Sequence, residues 1–390
     1  MAARTPARRC LSPLVILLTV TAVLAGCAAS DDDVATETTP AASSSGEGGE
    51  GEAGEGEAGE STPDDAEPPT LDAVVTEFVG SASGGADVLV RRDGEVTTVA
   101  VGVADAEGNP IVDGQPFRVG SITKPFVAVM VLQLADEGRV DIDATLDTYL
   151  PDTPVGGAIT VRQLLGHRSG LPNYIAQPAA QAAILSDPSH VFTPEEVLAW
   201  IVDVPSGPVG EFAYSNTNYI LLGQLIEAMD GTPVDASLRT RITDPLGLHD
   251  TVLASPDETL PADLAGGWSA GLLTGQRDVP YEAVETAAWT AGALVSTTND
   301  LLVFLDALLG AELTSEESLA QMTDFQPAGY GLGLLSAPRP DGEAVLGHNG
   351  QIPGYAAVMA IEPGSGDGLV ALTNNDQLAP DALIEPIFGS

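Results

Sequence analysis

Hydrophobic and polar positions divide this chain into a middle of helical character between two strand-bearing ends. In FRVGSITKPFVAVMVLQLADEG, Phe117 to Gly138, the stretch Phe126 to Leu134 is apolar except for Gln133. A helix that is apolar all round is buried on every side, so this run predicts a core helix beginning at or just before Ser121. Upstream, Leu71 to Val79 reads as a short opening helix. ADVLVRR and VTTVAVGVA, within Ala86 to Ala104, read as two strands joined by Asp93-Gly94, a hairpin signal. From Val140 to about Ala288 helices are expected at Val161–Leu165, Pro194–Val202 and Asn218–Met229, the last stopping before Gly231, with no convincing strand run. Strands return at Ala344–His348, Tyr355–Ile361 and Gly368–Thr373, after a helix Asp300–Leu309 that Asn299 is placed to cap, and a helix Pro380–Phe388 closes the chain. The pattern predicts an α/β (α+β) fold: an antiparallel sheet built from both chain ends, flanked by helices, with a mostly helical region inserted. No internal repeat is present.

The first 69 residues stand apart from this pattern. Arg4, Arg8 and Arg9, the apolar run Leu14 to Leu18 and the small residues before Cys27 make residues 1–26 an export signal, too short for a comfortable membrane span. Leu24-Ala25-Gly26-Cys27 resembles the lipobox of bacterial lipoproteins, which implies a lipid on Cys27 as the mature N-terminus. Cys10 falls inside the signal, so the mature chain has no internal disulfide. Residues 28–69 hold thirteen acids, no bases and no aromatics. Like charges and too little apolar surface predict a disordered, extended tether. Lipid and linker together give the expectation of a protein held at the outer face of the cell membrane by its anchor alone.

Of the formal charge of −42, most belongs to residues 70–390, where 43 acids face 11 bases. That surface suits neither nucleic acid nor anionic headgroups as partners. Roughly 320 residues are enough for a sizeable core and lie at the upper end for one domain.

Candidate chemistry centres on Ser121 and Lys124. Spaced i, i+3 on a helix, hydroxyl and amine meet one turn apart. The ordinary alternative is a serine cap and a solvated lysine. Two features favour chemistry: Lys124 lies at the mouth of the core helix, and it is the only lysine in the chain, the other thirteen bases all being arginine. A guanidinium does not lose its proton, whereas a desolvated lysine can act as a base. Pro125 fits a first helical turn, where a missing N–H costs little. Tyr214-Ser215-Asn216 precedes an apolar-periodic helix, and by itself reads equally well as a helix entry. His348-Asn349-Gly350 ends a predicted strand, where a lone histidine is more often structural. His167, His190, His249 and His348 show no metal-ligand spacing, so neither metal nor other cofactor is expected.

Taken together, Ser-Ile-Thr-Lys, Tyr-Ser-Asn and His-Asn-Gly resemble, in order and rough spacing, the penicillin-recognising serine hydrolases, in the branch of class C β-lactamases and serine D-alanyl-D-alanine carboxypeptidases. LLGHRSGLP, YSNTNYILLGQLIE, ITDPLGLHDT, WTAGALVSTTNDLLVF and GYGLGL extend the similarity over Leu71 to Phe388. The resemblance implies Ser121 as acylated nucleophile, Lys124 as base, alone or through Tyr214, and Tyr214 as proton carrier to the leaving group. It further implies Asn216 bonding the substrate amide, His348 and Gly350 on the opposite strand wall, and the N–H groups of Ser121 and Gln351 as oxyanion hole. His167 reads as structural. Two departures stand out. Asn349 and Gln351 replace the threonines of the carboxypeptidases' His-Thr-Gly-Thr, and GLGLLSAPR lacks their arginine two residues beyond Gly-Leu-Gly-Leu, Arg339 being the nearest base. The expected substrates are a peptidoglycan stem peptide of D-Ala-D-Ala type, a related amide or ester, or a β-lactam. The competing reading is a cell-wall peptide-binding lipoprotein without turnover.

Overall fold

The structure, a computed structural model, describes residues 69–156, 159–269, 282–339 and 342–389. The expected signal segment, Cys27 and the acidic tether lie outside the described residues.

Helix α1 (Leu71–Val79) is capped by Thr70, whose hydroxyl accepts the Ala73 N–H. It leads into the hairpin β1 (Gly85–Arg92) and β2 (Glu95–Gly102). Asp93 and Gly94 take φ of 52° and 81°, as a two-residue turn that matches strand twist requires. After β3 (Phe117–Gly120) comes the core helix α2 (Thr123–Asp136). The middle of the chain supplies α3 (Val161–Leu165), α4 (Pro178–Ser186), α5 (Pro194–Ala199), α6 (Asn216–Asp230), α7 (Val234–Leu238), α8 (Asp244–Leu246) and the two-residue β4 (Val252–Leu253). Then follow α9 (Glu282–Ala288), β5 (Leu294–Ser296), α10 (Thr298–Leu309) and α11 (Glu316–Met322). The chain ends with β6 (Leu335–Pro338), β7 (Ala344–Ile352), β8 (Tyr355–Ile361), β9 (Gly368–Thr373) and α12 (Ile384–Phe388).

The main sheet has the order β2-β1-β9-β8-β7-β6, antiparallel throughout, so both chain ends build it as expected. Side chains alternate between two cores, because successive Cβ atoms of a strand point to opposite faces. Val88, Val90, Val358, Ala360, Leu369 and Ala371 pack with Val75 and Val79 of α1 and Ile387 and Phe388 of α12. Leu89, Met359, Ile361, Val370 and Leu372 belong to the larger core that contains α2, α6 and α10. With both faces covered, β8 and β9 are buried at every residue, which is why they read as continuous apolar runs rather than alternating ones.

Several boundaries depart from expectation. Ser121 precedes α2 rather than starting it: the Ile122 N–H bonds to Val119 O and the Lys124 N–H to Ser121 O, a tight turn that delays the helix to Thr123. Thr297, not Asn299, caps α10, accepting the Asp300 N–H at 3.2 Å. α5 stops at Ala199, short of Val202, and α6 begins at Asn216, two residues early. β7 continues past His348 to Ile352 because Asn349–Ile352 pair with Tyr355–Val358. The final helix splits, with a 3-10 turn over Pro380–Leu383 before α12. The small sheet β3-β5-β4, β4 lying inside the expected strand-free region, and the edge strand β6 were not anticipated. Strands of two to four residues are too short to show a period.

Candidate active site

β3 delivers the chain to Ser121 at the top of α2. Gly120 has a φ of 55°, and a methyl there would meet the Gln351 nitrogen at 2.7 Å, so glycine is demanded by both the turn and the neighbouring strand. Thr123 locks the turn, its hydroxyl donating to Gly120 O at 2.7 Å and accepting the Leu294 N–H at 3.0 Å. Ser121 is partly exposed, while Lys124 behind it is fully buried.

Lys124 Nζ lies 2.9 Å from Ser121 Oγ, 2.9 Å from Asn216 Oδ1 and 2.7 Å from Ala291 O. No carboxylate is among these partners, and burial holds the amine's pKa well below 10.5. A neutral amine has two N–H bonds and one lone pair. The Asn216 and Ala291 oxygens can only accept, so they take the two N–H groups, and the lone pair is left for the one partner that can donate, the Ser121 hydroxyl. The arrangement is therefore able to remove the Ser121 proton.

Tyr214 sits just before α6, with its phenol near enough to Ser121 to be influenced by it. Enclosure pushes the phenol pKa above 10, with the Ser121 interaction opposing, so it stays protonated at neutral pH. Its ring centroid is 4.9 Å from Lys124 Nζ. Asn216, whose Oδ1 is taken by the lysine, is anchored through its backbone N–H to Asn173 Oδ1 at 3.2 Å.

The end of β7 runs against the end of β3. A methyl on Gly350 would meet Val119 O at 1.9 Å and Ser121 N at 2.9 Å, so only glycine lets the two backbones approach this closely. The Gln351 nitrogen thereby lies against Gly120 and the Ser121 nitrogen against Gly350. The Gln351 side chain donates to Asp376 O at 2.8 Å, and Asn349 points away, donating to Asp381. His348 is buried and lies 3.2 Å from the Tyr330 hydroxyl. Burial first, then Lys124, lowers its pKa to about 3. Ser121, Lys124, Tyr214 and Asn216 thus form one cluster, Gly350 and Gln351 border it, and His348 stands behind Tyr330.

Two contributors escaped sequence reading. The carbonyl of Ala291 carries no side-chain signal, although WTAG is part of the family pattern. Tyr330, from the GYGLGL phrase, packs between Tyr214 and His348 with ring centroids 6.1 and 5.8 Å away. His167, read as structural, is buried with its ring tilted against that of Tyr214, the centroids 4.1 Å apart.

A buried lysine beside a serine at a helix start, with a sheet strand closing the other wall, defines a serine hydrolase of the β-lactamase fold. The chain belongs to the family described as Beta-lactamase, whose model matches residues 71–388. Among curated relatives it is 27% identical to the putative penicillin-binding protein PbpX of Bacillus subtilis (strain 168), over 75% of this chain and 71% of that one. Among solved structures it is similar to a D-stereospecific amidohydrolase from Streptomyces sp. (TM-score 0.72, 29% identity, 81% of this chain and 97% of that one). It is also similar to the D-amino acid amidase from Ochrobactrum anthropi SV3 (TM-score 0.71, 27% identity, 82% and 96%).

Proposed function

We propose that this chain hydrolyses small amides or esters of D-configured acyl groups, of which D-Ala-D-Ala-type peptides are one kind, through an acyl-enzyme on Ser121. The observation that carries the reading is the fully buried Lys124, its pKa held down by burial, within 2.9 Å of the Ser121 hydroxyl. Ser121 Oγ attacks the substrate carbonyl carbon as its proton passes to Lys124. The oxyanion forms toward the N–H groups of Ser121 and Gln351, worth about 3 kcal/mol per donor. Tyr214 hands its phenol proton to the leaving nitrogen or oxygen and takes the one held by Lys124 in its place, the acyl–nitrogen or acyl–oxygen bond breaks, and water releases the acid by the reverse route. Asn216, with its oxygen on Lys124, keeps its amide nitrogen for a substrate carbonyl.

The D-configuration is supported by the D-stereospecific amidohydrolase and D-amino acid amidase among the similar structures. Substrates without a free terminal carboxylate are favoured because the arginines among the described residues are engaged elsewhere. Arg339 pairs with Glu362, Arg168 donates to Gly210 O, and Arg118 pairs with Glu285. This weighs against a dedicated carboxypeptidase, and β-lactams are read as slow substrates. Cys27 is read as the lipid attachment that holds the exported protein at the membrane; loss of detergent-phase partitioning in Cys27→Ser tests it.

The test is a panel of D- and L-amino acid amides, a D-Ala-D-Ala peptide, a p-nitrophenyl ester and a chromogenic cephalosporin, run on wild type and Ser121→Ala. Turnover of D-amides or esters that vanishes in Ser121→Ala, with a fluorophosphonate adduct on Ser121, is the expected result. Absence of that adduct, together with saturable binding of a wall peptide unaffected by Lys124→Ala, replaces the enzyme with a binding protein.

A further inference from the structure

His167 belongs to none of the three motifs, yet it holds the middle one from three sides. Its carbonyl accepts the Ala213 N–H at 2.9 Å, its ring Nδ1 accepts the Ser215 N–H at 3.2 Å, and its ring lies against that of Tyr214. The residue before the phenol, the phenol itself and the residue after it are thus tied to one histidine. The Ser215 N–H heads α6, where Ser215 makes no side-chain cap of its own. His167 is fully buried and has a φ of 53°, a left-handed backbone that is costly for a residue other than glycine.

Its neighbours settle where the ring proton resides. Nδ1 faces two donors, the Ser215 N–H and, at 3.3 Å, the Asn218 side-chain amide. The amide's orientation follows from Asn218 Nδ2 donating to the Leu164 carbonyl, which can only accept, while Oδ1 takes the Ser169 hydroxyl at 2.7 Å. A nitrogen facing two donors carries the lone pair, so the proton sits on Nε2. That nitrogen has no hydrogen-bond partner among the described residues, in a ring packed among Tyr214, Tyr219, Tyr330 and Phe212. The titratable groups facing it are Lys124 from α2, Tyr219 from α6, Tyr214, Tyr330, and His348 from β7. None of them is a carboxylate that would hold an imidazolium. Burial, then Lys124 and His348, keeps its pKa well below 6.5.

We propose that His167 is a positioning residue, a neutral Nε2-protonated imidazole that fixes the Tyr214 phenol against Ser121 and Lys124. The proposal rests on the acyl-transfer reading above. His167→Phe keeps a ring but removes the acceptor; His167→Gln keeps an acceptor on a side chain of similar reach.

With a p-nitrophenyl ester, His167→Phe is expected to lower kcat about a hundredfold, the scale of a displaced catalytic group, while KM stays within about threefold. His167→Gln is expected to recover the larger part of kcat. In a Tyr214→Phe background neither change costs further, because the effect runs through the phenol. Equal losses in both backgrounds, or a loss wholly in KM, overturn the proposal. Where the Phe variant does not fold, the Gln variant and its cycle with Tyr214→Phe decide.

A second measurement needs no substrate. Imidazole nitrogen NMR of the wild-type protein is expected to show a bare Nδ1 and a protonated Nε2 at His167, unchanged from about pH 8 to about pH 5, where an ordinary histidine titrates. A protonated Nδ1, or titration within that range, overturns the assignment. The predicted tautomer in a chain that forms no Ser121 adduct sinks the acyl-transfer reading instead, so the two failures are told apart.

Discussion

The two ends of α2 hold basic side chains in opposite ways. At the N-terminal end Lys124 is buried among neutral oxygens, and burial alone lowers its pKa. At the C-terminal end Arg241 reaches Asp230 at 2.6 Å and Glu137 at 2.7 Å, and Arg139 reaches both acids at 2.9 Å. There the hydrogen bonds from Arg241 lead the fall of the Asp230 pKa to about 2, and the bonds to Asp230 lead the rise of that of Arg241. One end withholds water and counter-charge, which makes a base. The other supplies counter-charges, which makes a structural cation that never gives up its proton. Charge content alone would not tell these ends apart; the identity of the acceptors does.

The sharpest way to break the contrast is Lys124→Met. Loss of the base is expected to slow Ser121 labelling by about 10²- to 10⁴-fold, while denaturant melts show stability unchanged or raised, because an apolar chain replaces a buried amine. Lys124→Met that is fully labelled removes Lys124 from the chemistry. Next in size, Arg241→Met is expected to cost about 2 kcal/mol of stability by stranding Asp230 and Glu137, discounted because Arg139 and solvent still reach them. Activity per folded molecule stays unchanged.

The pH dependences of the two ends run oppositely. The folded pKa of Lys124 is depressed, so the unfolded chain binds the extra proton and stability rises with pH up to about 10.5; kcat/KM rises as the amine deprotonates. For Asp230 the stabilisation is complete above its ordinary 3.8 and is lost as pH falls through about 2. Melts across pH are expected to show the gap between wild type and Lys124→Met closing toward high pH, and that between wild type and Arg241→Met closing below about pH 4.

The last effect concerns Asp87 on β1, an acid counterpart of Lys124. It is fully buried; among the described residues it is bonded only to Thr298 and the Gly114 N–H, with one oxygen unpartnered, and burial raises its pKa to about 7. Because the folded value exceeds the unfolded one, its contribution is full below about pH 4 and is lost as pH rises through about 7. Asp87→Asn is expected to be more stable than wild type at pH 8 and to lose that advantage at pH 4, read by urea melts at both values.

Much of this molecule was legible as pattern. α1, the hairpin β1–β2, the buried α2 and the strands β8 and β9 follow from apolar periodicity and a turn dipeptide, signals local to a few residues. The pairing of Ser121 with Lys124 was legible too, since three residues of a tight turn bring them together whether or not the helix has begun. The short strands β3, β4, β5 and β6 were not, because two to four residues carry no period and their partners are far away in sequence.

The single lysine, its spacing from Ser121 and its place before an apolar run were written in the residues themselves. Everything that makes that lysine a base was decided in three dimensions. Asn216 Oδ1 and Ala291 O arrive from 92 and 167 residues away, and the strand end at Gly350 closes the wall at a distance only glycine allows. His167, read from the chain order as structural, is brought against Tyr214 for the same reason. Proton affinity and side-chain orientation depend on which groups share a buried volume, and sequence neighbours supply few of them.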